Sequence, residues 1–132
     1  MNDAEYAEQK ARVEALRDTW VKPVGLGWWR WDFAWRRERH AADETENTST
    51  PFTIDPLWEY GRVKLTAYLP TVAEWDDEEL EEAFCHELGH VFACELRPLE
   101  ITDEYRQHEE RVATMIGKAF VWLRDHLQER SA

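Results

Sequence analysis

An α+β fold is predicted by three features of the chain: a segment of helical period at its start, segments of period two in its middle, and two further helical segments at its end. The expected arrangement is an N-terminal helix, a small and mainly antiparallel twisted sheet, and two C-terminal helices. With 132 residues there is room for one core, so residues 1–132 are expected to form a single domain.

The first helix is predicted from Asp3 to about Trp20, where Tyr6, Val13, Leu16 and Trp20 recur at helical spacing among charges. Lys22-Pro23-Val24-Gly25 ends it, since proline cannot continue the hydrogen-bond ladder. From Leu26 the period becomes two. Trp29, Trp31, Phe33 and Trp35 fall on one face of a strand, with Arg30, Asp32, Ala34 and Arg36 on the other. Residues 40–56, rich in Thr, Ser, Asn, Asp and Glu, are expected to form a long surface loop without chemistry of its own. A short strand is expected over Leu57–Tyr60, with a bend at Gly61. Val63, Leu65, Ala67 and Leu69 then alternate with Arg62, Lys64, Thr66 and Tyr68 in a half-buried strand that stops at Pro70.

Trp75-Asp76-Asp77-Glu78-Glu79 has the form of a helix start. Asp76 is placed to cap free backbone N–H groups, Glu79 to complete a capping box, and the acids suit the positive end of the helix dipole. This helix should run to about Arg97 and stop at Pro98. Leu80, Phe84, Leu88 and Val91 form its apolar stripe, while His86 and His90 lie on a different face and are expected to point into a cleft. The last helix is predicted from about Asp103, capped by Thr102 or Asp103, to Gln128, with Val112, Ala113, Ile116, Ala119, Phe120 and Leu123 as its apolar face.

The chemistry is concentrated in Cys85-His86-Glu87-Leu88-Gly89-His90-Val91. On a helix, residues four apart share a face, so His86 and His90 offer two imidazole nitrogens to one ion, and zinc is the usual ion for such a pair. Glu87 can then act as general base toward a metal-activated water without ligating the metal. A catalytic zinc needs a third protein ligand, and the last helix offers Glu109 and Glu110. By phase, Glu109 is central on the Val112, Ile116 and Phe120 stripe. Glu110 lies in line with Ala113, Thr114 and Gly117, whose small side chains permit close approach to a neighbouring helix, and this argument favours Glu110.

His-Glu-Leu-Gly-His at 86–90, followed after about twenty residues by a helical glutamate, resembles the gluzincin metallopeptidases. In layout the chain is similar to minimal zincins of the ImmA/IrrE and phage-encoded types. Ala113, three residues after Glu110, matches the small residue that follows the third ligand in that family. The resemblance implies a zinc-dependent peptidase acting on a peptide or protein substrate, with His86, His90 and Glu110 as metal ligands and Glu87 as general base. By the same analogy, the Val63–Leu69 strand would be the sheet edge on which an extended substrate lies. Position 114 is Thr where the family often has Asn or Asp, which implies a weak or absent contact from there to a histidine. For the residue that steadies the oxyanion, Tyr105, His108 and His126 are candidates by residue type alone.

A second class of function is a zinc-binding protein-interaction module with weak or no catalysis. A third, a nucleic-acid binder using the tryptophans among Arg30, Arg36, Arg37 and Arg39, is opposed by the net charge of -12, which repels polyanions. No apolar run approaches the ~20 residues needed to span a bilayer, and the first residues lack the pattern of a signal peptide. Cys85 and Cys94 are about 13 Å apart along one predicted helix by its 1.5 Å rise, too far to bridge. Free thiols fit a reducing compartment, so a cytoplasmic location is expected.

Overall fold

The computed structural model describes residues 1–131. Helix α1 spans Asp3–Trp20 and begins with a full capping box, in which Asn2 accepts the Glu5 N–H and the Glu5 carboxylate accepts that of Asn2. Strand β1 (Arg30–Arg36) follows. Trp31, Phe33 and Trp35 stack along one face of β1, and Lys10 and Arg17 of α1 lie over the Trp35 and Phe33 rings. The aromatic face therefore packs beneath α1.

Residues 40–56 depart from the expected loop. They contain the short helix α2 (Asp43–Glu46) and strand β2 (Phe52–Leu57), which pairs antiparallel with β3 (Arg62–Tyr68) in the register Phe52↔Ala67 to Leu57↔Arg62. The period of two was present in Phe52, Ile54 and Pro56, but a proline inside a run argues against a strand. It is tolerated because β2 is an edge strand, where a missing ladder donor costs little. The segment expected as a separate strand at 57–60 is instead the end of β2 and a 3-10 turn over Trp58–Tyr60.

The sheet order is β1-β3-β2, with β1 and β3 parallel. It is thus a mixed sheet, with one parallel and one antiparallel pair, rather than a mainly antiparallel one. The tight β2–β3 connection fixes those two as a hairpin. The long segment between β1 and β2 lets β2 skip a position, and β3 returns into the gap parallel to β1.

The chain does not merely stop at Pro70. It enters helix α3 (Leu69–Glu74), where a proline in the first turn lacks only a donor that would be unpaired anyway. Helix α4 (Asp77–Ala93) is capped by Asp76, which accepts the Glu79 N–H at 2.8 Å, without the return bond from the Glu79 side chain that would complete the expected capping box. Its last turn tightens to 3-10 over Cys94–Leu96 before Pro98. Leu80, Phe84, Leu88 and Val91 are all buried, and Phe84 meets Phe52 of β2 edge-on. These contacts seat α4 across the sheet.

Helix α5 (Asp103–Ser131) lies along α4, with Thr102 accepting the Tyr105 N–H. Its packed seam is rotated from the predicted apolar face. Glu109, Ala113 and Gly117 are buried, whereas Val112, Ala119 and Leu123 are exposed. The largest apolar residues misled because the contact selects for smallness. A Cβ added to Gly89 would stand 2.5 Å from the Ala113 carbonyl oxygen, and one at Gly117 would stand 2.8 Å from the His86 nitrogen. The two backbones meet directly at these glycines.

Candidate metal centre

The close α4–α5 seam brings together side chains that the sequence separates by about twenty residues. His86 and His90, one turn apart on α4, face Glu110 on α5. His86 Nε2 is 3.1 Å from one Glu110 carboxylate oxygen, His90 Nε2 is 2.9 Å from the other, and the two Nε2 atoms are 3.2 Å apart. Donors bound tetrahedrally to zinc at about 2.0–2.1 Å would lie roughly 3.3 Å from each other. The His86, His90 and Glu110 cluster is therefore geometrically suited to coordinate a divalent metal ion.

Each histidine is held from behind. The Nδ1–H of His90 donates to Glu109 at 2.8 Å, and both residues are buried. The Nδ1 of His86 lies 3.1 Å from the Thr114 hydroxyl. The carboxylate can only accept, so it fixes the His90 tautomer that leaves Nε2 free to bind metal, while the hydroxyl holds the orientation of the His86 ring. The second contact corrects the expectation that Thr at position 114 forfeits it. A hydroxyl is shorter than an amide or carboxylate, but the seam at Ala113 and Gly117 brings it within reach. Burial, followed by the neighbouring His90 imidazole, pulls the pKa of His86 below its ordinary value and so favours the neutral ring that a metal requires.

Glu109 and Glu110 thus divide two roles. Glu110 stands with the histidine Nε2 atoms, while Glu109 faces the back of His90 and accepts from Arg97 and from the Tyr105 hydroxyl. Burial alone would raise the pKa of Glu109, but its hydrogen bonds from Arg97 and His90 outweigh this and lower it. Glu109 is buried, as its place on the apolar stripe predicts. Burial of this carboxylate is made tolerable by Arg97, whose position before Pro98 carries no sequence signal.

Glu87 lies beside the cluster, at the floor of a cleft. Desolvation, followed by the charge of Glu110, pushes its carboxyl up to about 8. A divalent cation held by the cluster would act in the opposite sense. Two cavities of about 640 and 720 Å³ meet over this floor, with Thr50, Phe52, His86, Glu87 and Glu110 lining both. The first extends past Trp75, Glu79 and Lys118, the second past Arg97, Tyr105 and Arg106.

The wall facing the helices is Ser49–Ile54, so the segment expected to have no chemistry bounds the cleft. Strand β3, expected to be the substrate edge, is instead central and pairs on both sides. The edge beside the cleft is β2, which has no second strand partner among the described residues. Of the three oxyanion candidates only Tyr105 lines the cleft. His108 is exposed beside Arg111 and His126 stacks on Trp122 in the distal half of α5.

The free cysteines are buried, and burial pushes Cys85 up to about 12 and Cys94 to about 11, so neither is a ready thiolate. No helix among the described residues is long and apolar enough to cross a membrane. No family model, curated protein or solved structure matches the chain.

Proposed function

We propose that this protein is a zinc-dependent peptidase of minimal zincin type, formed by a single domain. The observation that carries this reading is an incomplete donor set facing an open cleft. Structural zinc sites are closed by four protein ligands, whereas three protein ligands and space for water are the mark of catalytic ones. Zn2+ held by His86, His90 and Glu110 would supply a Lewis acid that polarises a carbonyl and acidifies a water.

The chain's own residues do the rest. Glu87, beside the donor set and shielded from bulk solvent, takes a proton from the attacking water and returns it to the leaving amine. Glu109 and Thr114 keep the imidazoles in orientation. The edge of β2 that is unpaired among the described residues offers backbone N–H and C=O groups to an extended peptide, which passes through the cleft from one cavity to the other. Two buried free thiols suit a reducing, cytoplasmic setting.

Incubation with a mixed peptide library, followed by mass spectrometry, tests this function. Cleavage is expected from the zinc-loaded protein, to be abolished by chelator and restored by added Zn2+. A protein that binds zinc stoichiometrically and loses its thermal stability on chelation, yet cleaves nothing, would instead be a zinc-stabilised interaction module.

A further inference from the structure

Arg97 stands outside the donor set, in the turn that leads from α4 toward α5. Its guanidinium grips Glu109 with two bonds, Nε to one carboxylate oxygen at 2.7 Å and Nη2 to the other at 3.0 Å. The second of these oxygens also receives the Nδ1–H of His90. A continuous chain therefore runs from Arg97 through Glu109 and His90 to the donor cluster, joining the end of α4 to α5.

The adjacent acids create a problem that this chain solves. Glu109 and Glu110 are neighbours on one helix, and both approach His90, Glu109 at Nδ1 and Glu110 at Nε2. A carboxylate is itself a good zinc ligand, and a second one on the metal would fill the position that water needs. We propose that Arg97 is a positioning residue for the metal centre: it fixes Glu109 behind His90, so that His90 presents Nε2 to the metal and Glu109 stays off it. This inference rests on the metal-site reading of His86, His90 and Glu110. The planar fork of arginine matches a carboxylate with two parallel bonds, which a lysine ammonium does not reproduce. The backbone at Arg97 is extended, directing the chain back toward α5 just before Pro98.

Zinc affinity, measured by competition with a chromophoric chelator, and the visible spectrum of the Co2+-loaded protein test the proposal. Wild type, Arg97→Lys and Arg97→Met are compared, with thermal melts of each metal-free protein. Changes to groups that orient metal ligands typically weaken metal binding by about 10–100-fold. That loss is expected for Arg97→Met, with a shifted Co2+ spectrum, and partial recovery of both is expected for Arg97→Lys. A role confined to stability would lower the melting temperature while leaving the affinity and Co2+ spectrum of the folded protein unchanged, and would overturn the proposal. Should Arg97→Met fail to fold, Arg97→Lys decides: values between wild type and metal loss support the role, and values equal to wild type overturn it. A wild-type protein that binds neither metal defeats the underlying site assignment, an outcome distinct from tight binding that is indifferent to Arg97.

Discussion

Glu87→Gln is expected to leave zinc binding intact and to reduce peptide hydrolysis by about 10²–10⁴-fold, the usual contribution of a positioned general base. The two effects separate because Glu87 does not belong to the donor cluster of His86, His90 and Glu110. Glutamine nearly preserves the shape of the side chain but removes the group that accepts and returns a proton. The substitution also relieves a buried acid, since desolvation and the neighbouring Glu110 already disfavour the charged form of Glu87. Metal-free Glu87→Gln should therefore fold at least as stably as wild type, so lost activity cannot be ascribed to lost fold. Zinc content measured beside turnover of a cleaved peptide checks the pair. Undiminished hydrolysis would remove Glu87 from the mechanism.

Gly89→Ala is expected to damage both the fold and the metal site through one methyl group. The new Cβ would stand 2.5 Å from the Ala113 carbonyl oxygen and 2.7 Å from its Cα, and neither is the flexible end of a side chain. Helices α4 and α5 must then move apart. Overpacking of this kind costs roughly 1–3 kcal/mol. The same displacement carries Glu110, one turn from Ala113, away from His86 and His90, so zinc affinity should fall by roughly tenfold or more, equivalent to about 1.4 kcal/mol or more of lost binding. Urea denaturation and zinc competition check the two effects. A variant with wild-type stability and affinity would show that the helices do not depend on this close approach.

The grouping of His86, His90 and Glu110 was legible in the sequence for a physical reason. His86 and His90 are related by helical geometry alone, and a capped helix under them could be inferred from Asp76 and the acids that follow it. Placing Glu110 beside the two histidines required a tertiary argument, and the small residues at 113 and 117 supplied it, because close helix approach leaves a composition signal even when large apolar residues point elsewhere. Size is poorly conveyed by hydrophobic pattern, which is why the predicted face of α5 was rotated. Strand β2 was obscured by Pro56 and by its polar neighbours, whose meaning depends on lying at a sheet edge. The expected substrate edge at β3 rested on fold analogy alone, and the place of β3 between β1 and β2 overturns it. Arg97, Thr114 and the function of Glu109 emerge only from side-chain geometry across the α4–α5 seam.

His86, His90 and Glu110 are expected to hold one zinc ion between them. Elemental analysis of purified protein after zinc loading and removal of excess metal tests it most directly, with wild type compared with His86→Ala. About one zinc per wild-type chain is expected, as the one donor cluster among the described residues requires, with little or none in His86→Ala. Zinc content that is the same in both proteins would contradict it.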